Sequence, residues 1–209
     1  MSSHNTVVAH EEHTHRDDVG SRMGMWLFVF TELILFGGMF IVYAVYRFSH
    51  FSEFQLAAKE LNTMAGTINT LILLTSSLTV VLSIVALRDG RKGLSMTLVG
   101  LTILLALGFL VNKYFEWSHE FDMGIYPGSA TLVSQPPGVI LYFGLYFVMT
   151  GLHALHVIIG MCVLGYLLWA IGKGIVRPDS YVRLEAGGLY WHLVDIIWIF
   201  LFPLFYLLQ

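Results

Sequence analysis

Six ionisable side chains stand where apolar residues dominate. Glu32, Glu116, His153, His156, His192 and Asp195 all fall within or at the edge of long hydrophobic stretches. An ionisable group in such a stretch is costly, and it marks a position with a role. Glu32 is flanked by Phe30, Leu33, Ile34 and Phe36. It is a protonatable carboxyl with three available roles: moving protons, sensing a lipid headgroup, or fixing helix packing through a hydrogen bond. His153 and His156 are three residues apart, which places them on one helix face, and His192 and Asp195 repeat that spacing. Three histidines and a carboxylate on facing helices are in principle ligands for a metal or haem. Lys113 and Glu116 lie close to the end of an apolar stretch and count for less.

The elements that must position these groups follow from composition. Of 209 residues, 56% are hydrophobic and 12% are charged. Average soluble domains carry about 25% charge. With a mean hydropathy of +0.73, this excludes a soluble globular enzyme, a disordered chain, a disulfide scaffold and a nucleic-acid binder. A polytopic membrane protein remains. Residues 24–46, 63–87, 94–115, 138–171 and 187–208 are each long and apolar. A bilayer core takes roughly 20 helical residues, so the fold is all-α with five transmembrane helices. The runs lack the alternation of a membrane barrel. Residues 1–22 form a polar tail with His4, His10, His13 and His15, expected to be solvated and flexible, and 23–209 form the transmembrane domain. Cys162 is the lone cysteine and offers no pairing.

Lysine and arginine set the expected orientation. Arg16, Arg22, Arg88, Arg91, Lys92, Lys173, Arg177 and Arg183 fall on one side, against Arg47 and Lys59 on the other. The positive-inside rule then places the N-terminus in the cytoplasm and the C-terminus in the periplasm. Trp26, Trp117, Trp169 and Trp191 fall near span ends, as in an interfacial belt, while Trp198 falls mid-span.

Depth along the helices separates the candidate ligands. His192 lies near the inner end of the fifth span, and His156 lies roughly 15 Å deeper in the fourth, before tilt. Buried polar packing is therefore the expected role of His153, His156, His192, Asp195 and Glu116, with no metal on this chain. Glu32 and Asp195 have comparable depth, which suggests a shared polar node with His192. No phosphate-binding glycine loop, nucleophile motif or cysteine pair is present, so no catalytic residue is expected.

Four stretches resemble subunit III of the haem–copper terminal oxidases. They are Thr31-Glu32 within TELILFGGMF, Lys113-Tyr114-Phe115-Glu116-Trp117, the run Thr150-Gly151-Leu152-His153-Ala154-Leu155-His156-Val157, and the block from Glu185-Ala186 through Tyr190-Trp191-His192-Leu193-Val194-Asp195. The resemblance covers about residues 26–208 and fits the short five-helix bacterial form. It implies an accessory subunit without haem or copper, those cofactors residing in partner subunits. Implied partners are subunit I directly and subunit II within the complex, in the bacterial cytoplasmic membrane. Bound phospholipid, support of proton uptake and sustained turnover are also implied. Glu32 matches the family's carbodiimide-reactive carboxyl. Cytochrome c and quinol both remain open as electron donor. A partner of nitric oxide reductase, an independent proton channel or transporter, and a haem-binding anchor are the competing readings.

Overall fold

A computed structural model describes residues 4–176 and 182–207, with side chains from Met23 onward. The described residues form helices and connecting turns, with no strand. In order these are α1 (His4–Ser49), α2 (Phe51–Ala58), α3 (Thr63–Arg88), α4 (Lys92–Asp122), α5 (Ala130–Val133), α6 (Pro137–Gly172) and α7 (Val182–Tyr206). Five of them are long and apolar enough to cross a membrane: Met23–Ser49 of α1, and α3, α4, α6 and α7. A helix satisfies its own backbone hydrogen bonds, which lipid cannot do for it. The histidines of the tail lie outside the described side chains.

Local signals set the ends. Asn62 caps α3 by accepting hydrogen bonds from the backbone N–H of Met64 and Ala65, at 3.0 and 3.2 Å. Gly90, at φ +76°, lets the chain reverse between α3 and α4 within three residues. Pro137 opens α6, and the Glu53 carboxylate from α2 accepts the N–H of Gly138. α4 continues past the end expected at residue 115 to Asp122.

α3, α4, α6 and α7 pack as a closed ring, each touching its two neighbours, and α1 leans on α6 and α7 from outside. Glycines permit the close approaches. A Cβ on Gly160 of α6 would lie 2.8 Å from the Trp191 ring, and one on Gly66 of α3 would lie 2.8 Å from the Tyr206 ring. Inside the ring sit Phe109, Trp198, Trp191 and Phe205, each at 1% exposure or less. Buried Ser76, Thr79, Ser83 and Thr102 accompany them, and Thr79 and Thr102 bond across α3 and α4 at 2.7 Å. Helix association in lipid relies on such small polar contacts, because lipid tails are as apolar as leucine. The outer surfaces carry large apolar side chains. α1 is the least enclosed: 11% of its apolar window is buried within the chain, against 56% for α7.

Trp191 departs from the belt expected of it. It is fully buried, and its indole N–H donates to Ser76 Oγ at 3.0 Å. The reason is that α7 begins at Val182, earlier than residue 187, which moves Trp191 further from the helix end.

Candidate functional site

The most enclosed polar group is built around Lys113 on α4. Its Nζ lies 2.9 Å from Glu116 Oε1, 2.9 Å from the Tyr146 hydroxyl and 2.6 Å from the Tyr206 hydroxyl. Both tyrosine hydroxyls donate to the same Glu116 oxygen. The ammonium also lies 4.6 Å from the Tyr146 ring centre and 5.5 Å from that of Trp198. Such faces attract a desolvated cation. Side-chain exposure is 3% for Lys113 and 5% for Glu116, so this is an ion pair closed off from solvent. It joins α4 to α6 through Tyr146 and to α7 through Tyr206.

Lys113 and Glu116 were expected close to an interface, and Tyr146, Tyr206 and Glu120 were not singled out. The structure places all of them in the interior. The reason is the length of α4: six residues follow Glu116 in the helix, and α2 packs against the neighbouring α6, with Phe54 fully buried against Tyr142. One signal in the sequence pointed here. Lys113, Glu116 and Glu120 repeat at i, i+3 and i+7, which puts them on one helix face.

A second contact joins α1 to α6. Glu32 Oε2 lies 2.9 Å from His156 Nε2, and His156 Nδ1 lies 2.8 Å from the Leu152 carbonyl. A carbonyl only accepts, so Nδ1 carries a proton as donor. One further proton must then lie between Nε2 and the carboxyl. The pair is either an acid donating to an imidazole or an imidazolium donating to a carboxylate. Phe36 packs edge-on to this imidazole, and Tyr190 donates to the His156 carbonyl at 3.1 Å. The Glu32 side chain retains 14% exposure, so it sits at the rim of the bundle.

A third set lines α7. His192 Nδ1 contacts Ser77 Oγ at 2.6 Å. Asp195 is 3% exposed, and neither carboxyl oxygen has a hydrogen-bond partner. Ser77 is the polar neighbour of both, its hydroxyl touching His192 Nδ1 and lying near enough to act on the Asp195 carboxyl. His153 is fully buried against Phe109 and Trp198, with neither ring nitrogen hydrogen-bonded.

Of the expected node of Glu32, His192 and Asp195, Glu32 bonds to His156 on α6, while His192 and Asp195 have Ser77 on α3 as a common polar neighbour. Facing, as well as depth, decides which side chains meet. Glu32 turns toward α6, whereas His192 turns toward α3. His153 and His156 also part company, one into the ring and one toward α1. Among the described residues, no three His, Cys, Asp or Glu side chains are placed to hold a metal ion together. The arrangement can hold protons and helix contacts.

A family model described as cytochrome c oxidase subunit III matches residues 3–209. The chain is 34% identical over 196 residues to the haem–copper oxidase subunit I+III of Aeropyrum pernix, covering 89% of this chain and 22% of that longer protein. It is 30% identical to the cytochrome bo(3) ubiquinol oxidase subunit 3 of Pseudomonas aeruginosa, over 96% of this chain and 93% of that protein. It is also 30% identical to the cytochrome c oxidase subunit 3 of Thermostichus vulcanus, over 100% of this chain and 96% of that protein.

Proposed function

The chain belongs to the cytochrome c oxidase subunit III family, and from that premise we propose that it is the non-catalytic third subunit of a respiratory haem–copper oxidase. The complex reduces oxygen to water and pumps protons. This chain packs on subunit I, holds phospholipid, and supports proton uptake and sustained turnover. Haem and copper reside in the partner subunits. The chain lies in the bacterial cytoplasmic membrane with its N-terminus inside, as the lysine and arginine distribution suggests.

The observation that carries this reading is the family match over residues 3–209. Contact with subunit I is supported by a relative whose name joins subunits I and III in one polypeptide. The weakly enclosed α1 leaves a face for a partner helix or lipid. Glu32 and His156, holding a proton near that face, are well placed to support proton delivery to a neighbour.

Purification through a tag on this chain, in mild detergent, tests the proposal. The expected result is a complex with a haem spectrum and oxygen consumption, in which removing this chain leaves the initial rate but shortens the active lifetime. Recovery of the chain without any haem protein overturns it. A quinol-oxidising complex is the second reading, favoured by the similarity to the Pseudomonas protein. Copper in the co-purified subunit II assigns cytochrome c as donor, and a subunit II without it assigns quinol.

A further inference from the structure

Beside the lysine node lies a carboxyl that the function above does not use. Glu120 follows Glu116 by one helical turn and is 2% exposed. Both glutamates line a cavity of ≈ 400 Å³. Glu116 Oε2 and Glu120 Oε2 are each buried with no hydrogen-bond partner. Glu60 and His119 also line this cavity, and both are exposed to solvent.

Charge balance singles out Glu120. The cation of the node is Lys113, and Glu116 takes it at 2.9 Å while also accepting two tyrosine hydroxyls. That pair is internally neutral. The groups that act on Glu120 are Glu60 beyond α2, Lys113 and Glu116 on α4, and Tyr142 on α6, while His119 on α4 lines the same cavity and Tyr146 and Tyr206 face Glu116. α3 contributes the uncharged Asn62, whose side-chain oxygen caps that helix. The hydroxyls are committed elsewhere, since Tyr142 donates to the Phe205 carbonyl at 2.6 Å and the other two donate to Glu116. Glu60 and Glu116 both repel an ionised Glu120. A buried carboxylate with neither counter-ion nor donor is costly, and such a group takes up a proton instead.

We propose that Glu120 is a proton-holding site that exchanges its proton with solvent through this cavity, with Glu60 and His119 at the mouth. This goes beyond the accessory role above, and its readouts lie on this chain rather than on oxygen turnover.

Infrared difference spectroscopy on the protein purified with its partners tests it, comparing the natural chain with Glu120→Gln. The expected result is a carboxylic C=O stretch at neutral pH that is absent from E120Q, shifts after transfer to D₂O, and fades as pH rises. An identical carboxylic band in both proteins shows that Glu120 holds no proton and overturns the proposal. A Glu120 band that never shifts in D₂O overturns the exchange with solvent. Should E120Q fail to assemble, the natural complex is treated with a water-soluble carbodiimide and mapped by mass spectrometry. Modification of Glu120 that declines with rising pH supports the site; labelling of Glu60 with none at Glu120 overturns it.

Discussion

The lysine node and the Glu32–His156 pair both join helices through ionisable groups, but they are built differently. The node takes four side chains from three helices and leaves its ion pair 3% and 5% exposed. The rim contact takes two side chains from two helices and leaves them 10% and 14% exposed. The difference follows from solvation. A charge sealed inside the ring needs several donors and aromatic faces to offset the loss of water. A carboxyl at the rim of the bundle has lipid or a partner on its open side, and the one imidazole it meets shares a proton with it. The node therefore holds α4, α6 and α7 together, and the Glu32–His156 contact ties α1 to α6.

The contrast can be broken at several points. Replacing Lys113 with Met leaves Glu116 buried without its counter-ion, at a cost of about 3–5 kcal/mol. Detergent denaturation of the purified complex should show that loss, and adding Glu116→Gln should recover much of it. A K113M complex as stable as the natural one would remove the node from the structural account. Gly66→Ala places a Cβ 2.8 Å from the Tyr206 ring and forces the tyrosine away from Glu116. Overpacking of this kind costs about 1–3 kcal/mol. The same denaturation assay checks it, and little change would mean that Tyr206 has room to move.

Smaller effects sharpen the comparison. Tyr206→Phe keeps the ring and removes one of the two hydroxyl donors to Glu116. The expected loss is about 0.6 kcal/mol, and at most ~1.7, as for hydrogen bonds between helices in membranes. A larger loss would mean that the hydroxyls act as a unit with Lys113, which a double-mutant cycle with K113M would measure. Glu32→Ala should cost about 0.6 kcal/mol, as for a hydrogen bond between helices in membranes. It should abolish carbodiimide labelling at this position while leaving initial oxygen turnover largely intact. Complete loss of initial turnover would contradict an accessory role.

Much of this was legible before the structure. Low charge and long apolar runs required helices, and Glu32, His153, His156, His192, Asp195 and Glu116 were visible because ionisable residues are rare in such runs. Their partners were not visible. Depth arithmetic grouped Glu32 with Asp195 and His192, but a helix carries several faces at any depth. Lys113 looked interfacial because the apolar stretch ends near residue 115, whereas the helix runs to Asp122. Tyr146 and Tyr206 gave no signal of their own, since tyrosine is common at membrane interfaces and its hydroxyl matters only once a partner is known.

The sequence by itself determined that this chain is helical, that it has five segments long and apolar enough to cross lipid, and which ionisable residues are out of place. Those conclusions follow from hydropathy and backbone hydrogen bonding, which are properties of a segment alone. Only the tertiary structure decided which side chains meet: Glu32 with His156, Ser77 with His192, and Lys113 with Glu116 and two tyrosines. Those meetings depend on helix rotation and close approach at Gly66 and Gly160, which are set by packing between segments distant in the chain.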